Sequence, residues 1–277
     1  MQTVTTLPEL RAARRALPAP VGLVPTMGFL HAGHISLVQH ARAECASVAA
    51  SIFVNPTQFG PNEDLAKYPR DLPRDLALLE AAGTDLVWTP APEDLYPDGF
   101  QTWVTVDGLT RLLEGEVRPG HFRGVTTVVA KLFNAVRPDK AYFGQKDAQQ
   151  AAVIRRMAKD LDFPIDIVVC PIVREPDGLA MSSRNVYLDP SERQAATVLF
   201  RSLGAAKSAY EKGERKAETL RQVMQDILNA EPLAKLQYVS CADYDTLEEL
   251  ETVKGKALLS MAVYLGKTRL IDNFVLE

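Results

Sequence analysis

The stretch Val24-Pro25-Thr26-Met27-Gly28-Phe29-Leu30-His31-Ala32-Gly33-His34 sets two of the chain's 4 histidines three residues apart in a glycine-bearing turn. That spacing lets both imidazoles project from one face of a helix start. The unpaired N–H groups and positive dipole end of such a start favour a phosphate. Two imidazoles there can donate hydrogen bonds to phosphate oxygens, and Gly28 and Gly33 let the backbone come close to a ligand. A lone histidine would read as a satisfied core or surface group; two on one strand-to-helix turn favour function. Zinc is the weaker alternative, because HxxH supplies two ligands and the sequence marks no third.

The elements that must position this turn follow from hydrophobic periodicity. Residues 21–26 are short and apolar and read as a buried strand, followed by a helix from about Gly33 through Cys45. Further strands are expected at 48–54, 85–88, 104–106, 141–143 and 165–169, with helices at 74–82, 125–136 and 148–158. Leu7, Leu10, Ala13 and Leu17 recur at helical spacing near the start. Strands alternating with helices indicate a parallel α/β sheet, in which ligands collect at the carboxyl ends of the strands. The fold class expected is therefore a Rossmann-like parallel α/β domain, residues 1–175, followed by a smaller α+β domain, residues 176–277. In the second, the Ala-, Arg-, Lys- and Glu-rich tract 192–228 reads as two helices around Gly213, followed by strands at 236–240, 257–265 and 269–271.

The bulk properties exclude several classes. With 31 Lys+Arg against 35 Asp+Glu, the formal charge of −4 does not suggest a nucleic-acid partner. The 3 cysteines, Cys45, Cys170 and Cys241, are far apart and form no CxxC, so they read as small buried hydrophobes in a reducing compartment. No apolar run approaches the ~20 residues that span a bilayer, and the first residues lack the pattern of a secretory signal. A cytoplasmic, non-membrane protein is expected.

His31-Ala32-Gly33-His34 is the HxGH pattern of the nucleotidylyl-transferase superfamily, which includes class I aminoacyl-tRNA synthetases. Met181-Ser182-Ser183-Arg184 looks like that superfamily's second element, whose hydroxyls and arginine could hold leaving pyrophosphate. Alone, a Ser-Ser-Arg loop would read as a solvated turn. Further stretches resemble the pantothenate synthetases more narrowly: SIFVNPTQF at 51–59, Tyr68-Pro69-Arg70, PGHFRGV at 119–125, FGQKD at 143–147 with Gln149-Gln150, and DGLAMSSRN at 177–185. The likeness runs in order from Leu23 to Leu188 and continues weakly to residues 269–273. Gln145 stands where glutamate is often found, a change of small consequence where a backbone contact suffices.

The resemblance implies an ATP-dependent ligase. Pantoate carboxylate attacks the α-phosphorus of ATP, and the amine of β-alanine then attacks the pantoyl adenylate, giving pantothenate and AMP. No enzyme nucleophile is needed, which fits the lack of a serine or cysteine nucleophile motif. It implies an ATP site formed by Met27, Gly28, Phe29, Leu30, His31, Ala32, Gly33, His34, Gly144, Gln145, Lys146, Asp147, Val173, Met181, Ser182, Ser183 and Arg184. His34, His31 and Lys146 are the implied catalytic residues, with His34 the family's assigned proton donor. Gln58 and Gln150 match the pantoate-binding glutamines, and Gln58 also the β-alanine contact. Magnesium is expected to arrive with ATP, no metal site of the protein's own and no organic cofactor are expected, and the family's members are typically homodimers.

Several residues allow more than one role. Asp75 is a weak candidate for magnesium, and a helix-surface acid is the preferred reading. Asp147 could orient Lys146 or bind ribose. Arg118, His121 and Arg123 form a basic cluster expected on a glycine-bearing loop, suited equally to folding over phosphates or to plain surface. The second domain is expected to act as a lid. Two other functions compete: an adenylyltransferase that keeps AMP on its product, and a catalytically silent ATP-binding regulator. Intact His31, Gly33, His34, Lys146 and Ser182 argue against the silent one.

Overall fold

A computed structural model describes residues 1–61 and 63–277, and the chain divides into two compact units. The first comprises residues 1–144 and 150–171. Its six strands are β1 (Gln2–Val4), β2 (Val21–Thr26), β3 (Ser47–Ile52), β4 (Leu86–Trp88), β5 (Lys140–Gly144) and β6 (Asp166–Cys170). The helices between them are α1 (Leu7–Ala16), α2 (Ala32–Glu44), α3 (Leu72–Ala81), α4 (Pro92–Leu95), α5 (Glu114–Val117), α6 (His121–Val136) and α7 (Ala148–Asp160).

The strands form one parallel sheet in the order β1-β4-β3-β2-β5-β6. Their residues alternate between two apolar layers, one on each face. Leu23, Ala49, Trp88 and Phe143 pack with Val129 and Phe133 of α6 on one side. Val24, Val48, Val87 and Tyr142 pack with Leu37 and Val38 of α2 and Leu79 of α3 on the other. Each fully buried Leu, Val or Phe contributes roughly 1.5–3 kcal/mol, which is why strands covered on both faces read as nearly continuous apolar runs. β2 lies between β3 and β5, so the winding reverses there and opens a crevice at the carboxyl ends of β2 and β5. The HAGH turn leaves β2 at that end.

The Rossmann-like reading holds, with local corrections. β1 lies outside the expected strands, since three residues carry too little pattern to detect. The segment expected as a strand at 104–106 is not one. Val104 N–H donates to Thr127 Oγ1 at 3.0 Å and its carbonyl accepts from Thr126 Oγ1 at 2.6 Å, so α6 side chains replace the ladder. α6 starts at His121, four residues before its apolar pattern begins, with Gly120 at φ +84° preceding it.

The second unit comprises residues 145–149 and 172–277. Its strands β7 (Ala234–Asp243), β8 (Ala257–Leu265) and β9 (Thr268–Leu276) form an antiparallel sheet in sequence order. Three helices, not two, precede it: α8 (Pro190–Ala195), α9 (Val198–Glu211) and α10 (Ala217–Asn229). The extra start has a strong cap: Asp189 accepts from the Ser191 and Glu192 N–H groups, and Glu192 accepts in return from the Asp189 N–H. Leu199, Leu203, Leu220, Met224, Met261 and Val263 form its core. All three cysteines are buried. Among the described residues no helix is long and apolar enough to cross a membrane.

Candidate active site

The turn after β2 is built by its neighbours. Thr26 Oγ1 donates to the Ser51 carbonyl at 2.8 Å and accepts from the Gly28 N–H at 3.2 Å. Gly28 has φ +85°, where a side chain is strained, and a Cβ there would lie 3.1 Å from both Asp75 Oδ2 and Ile52 Cγ2. Phe29 follows at φ +49°. Asp75 of α3 holds this bend: its carboxylate accepts from Phe29 N–H at 2.6 Å and Leu30 N–H at 2.7 Å. Arg74 lies 3.9 Å from Asp75 and 5.4 Å over the Phe29 ring. The helix-surface reading of Asp75 is overturned, since its side chain is only 1% exposed. The available signal was its place four residues before Leu79, on the buried face of α3.

His31 is the N-cap of α2, and its Nδ1 accepts from the Gly33 N–H at 3.1 Å. His34 Nδ1 accepts from the His31 N–H at 3.3 Å. With Nδ1 an acceptor in both rings, the proton sits on Nε2 in each neutral imidazole. The ring centroids are 4.1 Å apart. Two N–H-bearing rings therefore crowd the positive end of α2, whose first turn carries no acid to compete with an anion.

Gln58 ends the 3-10 turn Pro56–Gln58. Its Nε2 donates to Met27 Sδ at 3.0 Å and its Oε1 accepts from Asn55 Nδ2 at 3.1 Å, which brings it against the β2 turn. Neither Asn55 nor His121, whose Nδ1 lies 2.8 Å from the Gln58 carbonyl, was marked by sequence for this place. Burial, then the charge of Arg118, pushes the His121 imidazole down to about 4, so it is neutral near pH 7. The expected basic cluster is spent on other contacts. Arg118 makes two 2.7 Å bonds to Glu63, and Arg123 lies 4.5 Å over the Trp103 ring. Gln150 is half-buried in the first turn of α7.

In the second unit, residues 145–147 form a 3-10 turn leading into α7. Asn273 of β9 donates to the carbonyls of Gln145 at 3.0 Å and Lys146 at 2.9 Å, and accepts from Gln145 Nε2 at 3.0 Å. Lys146 Nζ lies 3.7 Å from Asp147 Oδ1. Val173 and Met181 meet across a short hairpin, with the Met181 N–H donating to the Val173 carbonyl at 3.0 Å. Ser182 caps the next 3-10 turn through the Arg184 N–H at 3.2 Å, and Ser183 is buried. Arg174 grips Asp272 with bonds of 2.6 and 2.9 Å. Burial raises the Asp272 carboxyl, and Arg174 opposes that rise.

A phosphate-ready helix start in a doubly wound fold is common to several chemistries, and relatives distinguish them. The family model for pantoate–β-alanine ligase matches residues 1–275. The chain belongs to the pantoate–β-alanine ligase family. It is 63% identical to the pantothenate synthetase of Roseiflexus sp. (strain RS-1) over 277 residues, covering 100% of both chains. Against the pantothenate synthetase crystal structure from Thermus thermophilus the TM-score is 0.95 at 51% identity, with 99% of each chain covered. The pantoate–β-alanine ligase from Francisella tularensis, solved with β-γ ATP and β-alanine, gives a TM-score of 0.82 at 36% identity over 99% of this chain and 97% of that one. ATP-dependent formation of pantothenate is the role of this ligase family, and the membership rules out the adenylyltransferase reading.

Proposed function

We propose that the turn after β2 is where this chain joins pantoate to β-alanine at the expense of ATP. The observation that carries the reading is the pair of Nε2–H imidazoles at the start of α2, 4.1 Å apart, beside the held carboxamide of Gln58. Met27 to His34, Gly144 to Asp147, Val173 and Met181 to Arg184 are assigned to ATP, Gln58 and Gln150 to pantoate, and Gln58 also to β-alanine. A carboxamide suits pantoate because it donates to the carboxylate and hydroxyls and also accepts.

In the first step a pantoate carboxylate oxygen forms a bond to the α-phosphorus while the bond to the β-phosphate bridging oxygen breaks, releasing pyrophosphate. His31 and His34 donate Nε2–H to the crowded phosphate oxygens, and Lys146 adds a positive charge. Such donors act mainly by stabilising charge as it develops. Because Nδ1 of His34 already accepts the His31 N–H, the ring works as a neutral donor, a reading that favours charge stabilisation over proton transfer. In the second step the β-alanine amine bonds to the acyl carbon, AMP leaves, and the ammonium proton is lost. Holding the adenylate in place makes this attack effectively intramolecular.

Magnesium enters with the phosphates and water as MgATP. Both oxygens of Asp75 are already engaged by backbone N–H groups, which argues against that carboxylate as a ready-made ligand. Residues 176–277 are assigned the covering role that keeps water from the acyl adenylate. A homodimer in the cytoplasm completes the proposal. Light scattering with and without ATP tests the dimer, and equal loop protection in hydrogen exchange with and without ATP would remove the lid.

The decisive assay supplies ATP, magnesium and pantoate, with and without β-alanine, and follows AMP. AMP release that requires both co-substrates is expected. No AMP from folded protein would sink the proposal.

A further inference from the structure

α6 approaches the Gln58 turn too closely for a side chain. A Cβ on Gly124 would lie 2.4 Å from the Thr57 carbonyl oxygen. Asn55 Nδ2 fills the gap by donating to the Gly124 carbonyl at 3.1 Å while it also holds Gln58 Oε1. One turn earlier on the same helix stands His121. Its Nε2 is 3.1 Å from Arg118 Nη1, and its Nδ1 is 2.8 Å from the Gln58 carbonyl oxygen.

These contacts determine the tautomer. A guanidinium has no acceptor, so Nε2 must accept from Arg118. The ring proton then resides on Nδ1 and is donated to the Gln58 carbonyl. Arg118 cannot turn away, because Glu63 holds it with two bonds of 2.7 Å and Glu114 lies 4.0 Å from it. We infer that His121, fixed as the Nδ1–H tautomer by the Glu63–Arg118 pair, is a positioning residue that locks the Gln58 backbone and thereby aims its carboxamide at pantoate. The inference rests on the assignment of Gln58 to pantoate. It explains why a histidine serves here: one ring accepts from a cation on one side and donates to a carbonyl on the other, spanning two elements through a rigid plane.

The test uses the full-length enzyme with three substitutions. His121→Asn places a carboxamide N–H near the position of Nδ1 and restores the donor to Gln58. His121→Gln extends toward Nε2 and loses that donor, and His121→Ala loses both contacts. Ala and Gln are expected to raise the pantoate KM about 10-fold with the ATP KM changed less than about 2-fold, as expected for a lost buried bond of roughly 1–2 kcal/mol. Asn is expected to stay within about 3-fold of wild type. An Asn variant as impaired as Ala, or ATP and pantoate KM rising together in all three, would overturn the positioning role. Gln58→Ala is measured beside them: a raised pantoate KM supports the glutamine's assignment, and an unchanged one removes that assignment and this inference with it. Nitrogen-15 spectra of the wild-type enzyme near pH 7 should show His121 protonated at Nδ1 alone; a proton at Nε2 would overturn the inference even where a variant fails to fold.

Discussion

Two turns assigned to ATP, residues 28–34 in the first unit and 145–147 in the second, are anchored in opposite senses. At Gly28–Leu30 a buried carboxylate, Asp75, takes two backbone N–H groups. At Gln145–Lys146 a carboxamide, Asn273, donates to two backbone carbonyls. The first arrangement occupies the Phe29 and Leu30 N–H groups, and His31 already takes those of Gly33, His34 and Ile35, so under the proposed assignment the anion contact there falls to the imidazoles of His31 and His34. The second binds the acceptors, so the anchor does not compete with an anion for N–H groups. The charge of the anchor follows from what it holds: N–H groups favour a carboxylate, and carbonyls require a donor.

Asp75→Ala should produce the largest effect. It leaves the Phe29 and Leu30 N–H groups unmet beside a residue at positive φ, a loss of roughly 3–6 kcal/mol at about 1.5–3 per charge-assisted bond. We expect a strongly lowered denaturation midpoint and an adenylation rate down about 100-fold in pyrophosphate release. A midpoint within experimental scatter of wild type would show that Asp75 does not hold the turn.

Acid should separate the two units next. The unfolded chain protonates His121 near its ordinary 6.5, the folded one only near about 4. Its contribution is therefore complete above pH 6.5, falls as the unfolded chain takes up a proton that the folded chain refuses, and is lost near pH 4. The full swing is about 3 kcal/mol. Asp272 has the opposite sign: raised by burial above 3.8, it binds its proton first in the folded state and adds stability toward low pH. Hydrogen exchange at pH 5 should then show the Gln58 region loosening before β9, with His121→Asn removing the difference. Loss of protection in β9 first would contradict this.

Asn273→Ala should cost less, about 2 kcal/mol for three neutral bonds, one of which Gln145 can replace with water. We expect kcat/KM for ATP down about 10-fold with His34-side contacts unaffected, read as a raised ATP KM with turnover and the pantoate KM unchanged. Asn273→Asp should be worse than Ala, because it sets a carboxylate against two carbonyl oxygens. If Asp proved the milder of the two, the opposite-sense comparison would fail. Gly28→Ala should be the smallest effect, about 1–2 kcal/mol from positive φ and two close contacts, measured by thermal unfolding.

Much of the fold was legible because its signals are local. The apolar runs at 21–26, 85–88 and 141–143 and the helical periods of α2 and α7 are properties of neighbouring residues, and each element is present. The failures share a cause. Residues 104–106 look like a strand, but Thr126 and Thr127 satisfy Val104 from 22 and 23 residues away. Arg118 and His121 read as members of a basic cluster on a loop, but their partners, Glu63 and the Gln58 carbonyl, are 55 and 63 residues distant.

By itself the sequence determined the parallel α/β architecture, the HAGH turn at the end of a strand, and, through motifs in order along the chain, the ligase family. Tertiary structure alone decided which ring nitrogens of His31, His34 and His121 face a donor and which an acceptor, that Asp75 is an internal strut and not a surface acid, and that Asn273 holds the turn containing Lys146. The reason is that periodicity records which face of an element is apolar, whereas a hydrogen-bond partner is set by where the folded backbone brings residues that sequence leaves dozens of positions apart.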